Sequence, residues 1–489
     1  MSEEPTKQGK TRVVGRAIES VKWAAIGQYG SQLLTFITAL VLARLLSPED
    51  FGLIGILGVF LVVSDSIVDF GFGSALIQDR GATNRDFQTV QNFNIIIGVL
   101  MYLILFLLSP YIADHFAEQS LRDVSRALFV VVVLNSYRAA HVAKLLKGLR
   151  YKGIAIAQIT GSLGGASVAI VMAVTGFGVW SLVGKWVVGT LLNSVIVSLY
   201  SGVGLSCGIS KDRLRKYWQF GSMVMVTKIM DAAARQIDSF LIGQSFGIHD
   251  VGYYTRARLI NQMPSKNTTA VVSRLFFPLF SERYEDKKKL YELYQKSMRL
   301  IAFIILPIMT LIVLKSELVV AILLGEKWFR SSEMLEIMGI FGSLLPLSTA
   351  PVSLVLASGK GGLYAKLEAV KKIVLLVALV VGIQFNIITL IWLLGVAAVI
   401  GFLSNLYAAS ITTEIQILKQ LNWIMPPIVI AVMSGLGLLT VSEMHPENWS
   451  WHAAGIASYI AVYISLFFLY DRQFIIQFFA LIRKIIVKS

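Results

Sequence analysis

Ionisable side chains recur in this sequence inside otherwise apolar stretches. Each costs at least about 2.5–3.5 kcal/mol to hold in hydrocarbon, so it should face a cavity or a partner. The clearest run is Lys228, Asp231, Arg235 and Asp238. At about 100° per residue these fall within an arc of roughly 80° on one helix, and their alternating signs permit internal pairing. Asp65 and Asp69 stand one turn apart. Asn135, Arg138 and His141 share another stretch, and Lys185 lies in a further one. Gln28, Ser31, Gln32 and Thr35 share a helix face, as do Arg258, Asn261, Gln262, Ser265 and Thr269; Arg256 points away from Arg258.

Cations beside amides suit an anion such as a pyrophosphate or an acidic sugar. Arginine can grip phosphate oxygens bidentately, lysine acts as a point charge, and amides match sugar hydroxyls. The candidate substrate-binding residues are therefore Arg258, Arg235, Lys228, Arg138, Gln28, Gln32, Asn261 and Gln262. The carboxylates Asp65, Asp69, Asp231 and Asp238 could instead carry a coupling proton or sodium ion. The plainer alternatives are a salt-bridged structural stripe and helix association through Gln, Ser and Thr. No catalytic or metal-ligating set is expected: His115, His141, His249, His445 and His452 are scattered, and Cys207 is the lone cysteine. No cofactor beyond the coupling ion is expected.

The elements that must position these groups are membrane spans. The chain is 56% hydrophobic and only 15% charged, against about 25% charged in soluble proteins. Apolar blocks long enough for a hydrocarbon core of about 30 Å lie at about 21–45, 51–77, 93–112, 124–145, 153–174, 178–200, 217–243, 251–280, 290–314, 333–357, 363–384, 387–411, 424–441 and 452–470. The fourth, seventh and eighth carry charges. The expected fold is an all-α polytopic membrane protein of about 14 helices. An N-terminal tail (1–20) would precede helices 1–6 (21–200), a linker (201–216), helices 7–12 (217–413), helices 13–14 (414–470) and a basic tail (471–489). Roughly 28 Lys and Arg fall on one side and four or five on the other, which puts both termini in the cytoplasm. The net charge of +15 thus sets topology and meets anionic headgroups, and nucleic acid is not an expected partner. The N-terminus reads as a retained tail rather than a cleaved signal. No glycine loop for nucleotide phosphates is present.

The sequence repeats weakly at a separation of about 200 residues. Asp50-Phe51-Gly52 opens one span and Asp250-Val251-Gly252 opens another, each after a short turn. Two parallel six-helix repeats with a substrate site between them is a common transporter plan. At the first turn Ser47 can cap the helix, Pro48 fits its first position, and Asp50 completes a capping-box spacing.

Leu40-Val41-Leu42-Ala43-Arg44-Leu45-Leu46-Ser47-Pro48-Glu49-Asp50-Phe51-Gly52, then Asp69-Phe70-Gly71-Phe72-Gly73-Ser74-Ala75-Leu76-Ile77-Gln78 and Asp250-Val251-Gly252-Tyr253-Tyr254-Thr255-Arg256-Ala257-Arg258, resemble the polysaccharide transporter family. These are the Wzx-type oligosaccharide flippases of the multidrug/oligosaccharidyl-lipid/polysaccharide exporter superfamily, nearest to the colanic acid and teichuronic acid export branch. The resemblance implies two lobes around a central cationic cavity. It also implies alternating-access transfer of undecaprenyl-pyrophosphate-linked repeat units between leaflets of a bacterial inner membrane, coupled to an ion gradient. Lipids and a polysaccharide polymerase or chain-length machinery would be its partners, and a monomer is expected. The rivals are a drug or cation antiporter, a peptidoglycan-precursor flippase, and a membrane polysaccharide polymerase or ligase. The short outside loops and the basic intramembrane excess weigh against the first and the last.

Overall fold

A computed structural model describes residues 7–204, 208–443 and 449–476. Cys207, His445, the first six residues of the N-terminal tail and residues 477–489 lie outside them. Among the described residues the regular structure is helical. In chain order the helices are α1 (Lys7–Leu45), α2 (Pro48–Asp69), α3 (Phe72–Gln78), α4 (Asn84–His115), α5 (Ser120–Leu128), α6 (Val130–Lys147), α7 (Tyr151–Val174), α8 (Trp180–Ser201) and α9 (Lys211–Phe246). They continue as α10 (Ile248–Arg283), α11 (Lys287–Leu314), α12 (Ser316–Leu323), α13 (Arg330–Gly342), α14 (Leu344–Ala357), α15 (Gly361–Gly382), α16 (Ile387–Thr413), α17 (Ile417–Glu443) and α18 (Trp449–Tyr470).

Eleven segments among the described residues are long and apolar enough to cross a membrane. The protein is a multi-pass membrane protein. Each of the expected apolar blocks coincides with a helix or a broken pair, but α9, α10 and α15 fall short of that apolarity. They carry the charges: Lys228 to Asp238 on α9, Arg256 and Arg258 on α10, and Lys366, Glu368, Lys371 and Lys372 on α15.

Local chemistry explains where α2 begins. Ser47 is its N-cap, Pro48 opens the helix, and Asp50 closes a capping box, accepting from the Ser47 N–H at 2.8 Å. Where it ends was not expected. The second apolar block is broken at Phe70 and Gly71, both left-handed with φ of 45° and 69°. Gly71 abuts the neighbouring helix: a Cβ there would lie 2.6 Å from the Gly221 carbonyl oxygen, so any side chain would force α9 away. The fourth block is likewise split, between α5 and α6. By contrast α10 runs on through Pro264 and Pro278.

The chain divides into two compact units, Met1–Thr255 and Arg256–Ser489. The division falls inside α10, and α9 packs along α2. In the first unit Phe70, Phe72, Phe93 and Trp218 form an aromatic cluster. Beside it, polar bonds tie the start of α9 to the α3–α4 turn. Asp79 accepts from Lys216 at 2.5 Å and from the Tyr217 hydroxyl at 2.7 Å, while Arg213 donates to Asp86 at 2.9 Å. Hydrogen bonding from Lys216 and then Tyr217 holds the Asp79 carboxyl down at about 2.

In the second unit α18 packs on α11. Pro307 has no N–H to give the carbonyl of Phe303 four residues earlier. The Tyr463 hydroxyl donates to that carbonyl at 3.1 Å, and the Tyr459 hydroxyl donates to the Pro307 carbonyl at 3.1 Å. Tyr294 and Gln420, both fully buried, are hydrogen-bonded at 2.7 Å and tie α11 to α17.

Candidate functional site

A cavity of about 290 Å³ opens within the first unit, between α2, α3, α6 and α9. Its polar lining comprises Asp65 and Asp69 from α2, Ser74 from α3, Asn135 and Arg138 from α6, and Lys228 from α9. Each element delivers its groups for a stated reason. The one-turn spacing of Asp65 and Asp69 puts both on the same face of α2. The Phe70–Gly71 break ends α2 just past Asp69 and turns α3 beneath it, so that Gly73 approaches the Asp69 carboxylate. A Cβ on Gly73 would lie 3.0 Å from Asp69 Oδ1. Asn135 and Arg138, three residues apart, share the facing side of α6.

The charges are matched. The Asn135 amide donates to both oxygens of Asp65 at 2.9 Å each. Lys228 forms an ion pair with Asp69. Arg138 lies within electrostatic reach of both carboxylates and approaches Asn193 Oδ1 of α8 at 3.5 Å. Two carboxylates therefore face two cations. In a low-dielectric setting such a balanced set is stable while paired, and each partner is costly to strand. An anion that takes Lys228 must displace Asp69, and a proton or metal cation at Asp69 must release Lys228. The arrangement can thus exchange an anionic ligand and a cation.

The structure brings together Asp65, Asp69, Arg138 and Lys228, which come from both sequence-derived sets. The rest lie elsewhere. Asp238 accepts from the Tyr254 hydroxyl at 2.7 Å and from the Ser239 N–H at 2.8 Å. Asp231 is half-buried and Arg235 exposed on α9, and Gln28 is exposed while Gln32 is half-buried on α1. In the second unit Arg258, Asn261 and Gln262 are half-buried on α10, with Gly342 pressed close to Asn261: a Cβ there would meet its Oδ1 at 2.3 Å. Asn193 and Ser74 were not among the candidates. Asn193 is a lone amide in an apolar helix, and no spacing marks it. His141 is fully buried in a fixed network, its Nδ1 donating to Ser201 Oγ at 2.6 Å and its Nε2 facing the Gln91 amide nitrogen at 3.1 Å. Because Ser201 Oγ itself donates to the Ser198 carbonyl, the tautomer is set by its neighbours.

The sequence profile of a family described as "Polysaccharide biosynthesis protein" matches residues 41–333, more than half of the chain. The chain belongs to that family. The matched stretch spans every polar residue lining the cavity. The chain is 22% identical over 456 residues to the teichuronic acid biosynthesis protein TuaB of Bacillus subtilis, covering 90% of this chain and 92% of the relative. It is 23% identical over 377 residues to the lipopolysaccharide biosynthesis protein WzxC of Escherichia coli, covering 76% and 75%. Among solved structures, the lipid II flippase MurJ in an inward closed conformation superposes with a TM-score of 0.70 at 14% identity, over 92% of this chain and 99% of that one. An inward-facing multidrug resistance MATE family transporter gives 0.57 at 17% identity, over 80% and 99%. This family member therefore shares the fold of those two structures.

Proposed function

We propose that the protein is a flippase that carries undecaprenyl-pyrophosphate-linked oligosaccharides from the cytoplasmic to the outer leaflet of a bacterial inner membrane, for exopolysaccharide or lipopolysaccharide assembly. The observation that carries the reading is the charge-matched cavity inside a multi-pass fold. A site of paired cations and carboxylates in hydrocarbon suits exchange of an anionic headgroup and a coupling proton or sodium ion. The polysaccharide-assembly relatives and the lipid II flippase fold support the cargo class. Arg138 and Lys228 would meet phosphate oxygens, as would Arg258 and Arg235, with Gln28, Gln32, Asn261 and Gln262 on the sugars. Asp65 and Asp69, and on α9 Asp231 and Asp238, would carry the coupling ion. Both termini would be cytoplasmic, as the lysine and arginine distribution favours. The role is transport, with no covalent chemistry on the chain.

Cells lacking the protein should accumulate undecaprenyl-linked repeat units on the cytoplasmic leaflet, and the sugars found there name the cargo. Accumulation of the peptidoglycan precursor instead would favour the lipid II reading, which the 0.70 superposition on MurJ keeps in view. Drug sensitivity without lipid accumulation would replace the flippase with an efflux pump.

A further inference from the structure

Gly52 and Gly252 meet at one end of the first unit, each against the start of the other's helix. A Cβ on Gly52 would lie 2.0 Å from the carbonyl oxygen of Ile248, and a Cβ on Gly252 would lie 2.0 Å from the carbonyl oxygen of Pro48. Pro48 and Ile248 are the first residues of α2 and α10. Exchanging the two positions by 200 residues, 52 for 252 and 248 for 48, maps the contact onto itself, which is the signature of an isologous interface, here folded within one chain. On such an axis a residue faces its own counterpart. The residues there are Glu49 and His249, with Nε2 3.5 Å from Oε2. A twofold repeat would set like facing like; here an acid faces an imidazole.

We propose that this contact is a releasable seal, and that the Glu49–His249 pair makes its closed state pH-dependent. Close backbone approach at glycine leaves few interlocking side chains to unpack, so the two helix starts can part. Imidazole changes charge between pH 5 and 8. Protonated, His249 attracts Glu49 and holds the seal; neutral, it does not, and the closed state weakens as pH rises. The other charged groups at this end are Asp50, Asp250, Arg44 on the last turn of α1, and Asp114, His115 and Glu118 around the end of α4. Asp50 is held by its own helix cap, and the ion pair of His249 is with Glu49. Both side chains are substantially solvated, 63% and 44% exposed, so the effect should be about two- to fivefold.

Val251 is fully buried and packs on Gly55 at this contact. The full chain carrying Cys207→Ser and Val251→Cys, placed in lipid nanodiscs, reports opening as the rate of maleimide labelling. Dividing the rate with Glu49→Gln by the rate without it removes the thiol's own ionisation. The ratio should be about two to five at pH 5.5 and about one at pH 8.5, and His249→Gln should give the same result. Exchanging the pair, Glu49→His with His249→Glu, should keep the response, because the two positions are related by the axis. Gly252→Leu should speed labelling at both pH values. A ratio of one throughout, loss of the response on exchange, or labelling no faster in Gly252→Leu overturns the seal. The inference shares with the proposed function only the supposition that this end opens. Labelling is read without cargo, so lipid-linked sugar accumulating in cells while the ratio stays at one removes the seal and leaves the transport reading standing.

Discussion

The side-chain amide of Asn135 on α6 spans both carboxylate oxygens of Asp65 on α2, at 2.9 Å each. An ionised carboxylate is the form that accepts twice. Asn135→Leu removes the donors and leaves the acid in a partly buried site, at a cost of about 1–3 kcal/mol. Thermal unfolding in detergent should show this as a lowered midpoint. Asn135→Asp should be worse, since a second carboxylate would then face the first.

The Lys228–Asp69 ion pair predicts non-additivity. Lys228→Ala strands a carboxylate that is one quarter exposed, a loss of about 1–2 kcal/mol after allowing for solvent. The double variant with Asp69→Ala should be more stable than Lys228→Ala alone. Losses that simply sum in a double-mutant cycle would show that the two groups do not interact.

Asp79 predicts a pH dependence of known sign. Its carboxyl is held at about 2, below the ordinary value of about 3.9, so its bonds favour the folded clamp above that ordinary value. The contribution is lost as pH falls from about 4 through about 2. Amide exchange around Gly81, whose N–H donates to Asp79 at 3.0 Å, should be flat with respect to this group between pH 5 and 8. Asp79→Asn should raise exchange there throughout that range.

Arg258→Ala and Arg235→Ala should each impair export while leaving membrane insertion intact. Export assayed by surface polysaccharide, with expression checked by immunoblot, tests this. Wild-type export by a normally expressed double variant would exclude both arginines from substrate handling.

Much of this was legible before the structure. The length and apolarity of the blocks fixed the helices, and Ser47, Pro48 and Asp50 marked a helix start because capping is local chemistry. The break at Phe70–Gly71 was not legible, because the reason for Gly71 stands 150 residues away at Gly221. On the α9 stripe alternating charge permits pairing along the helix, but it could not show that Lys228 also reaches across to Asp69, or that Asp238 bonds to Tyr254. Helical periodicity gives the face a residue occupies but not the neighbour that will occupy it.

The hydroxyl that Tyr463 extends to the Phe303 carbonyl makes two distant positions interdependent. A proline in α11 is tolerable in lipid because a tyrosine in α18 supplies the missing donor. Tyr463→Phe should therefore harm the protein as it stands and be nearly silent once Pro307 is replaced by leucine. Chains shortened before α18 would lose a structural ligand of α11 rather than a dispensable appendage. Hybrids that splice the C-terminal helices of one relative onto the body of another should work where proline and tyrosine travel together.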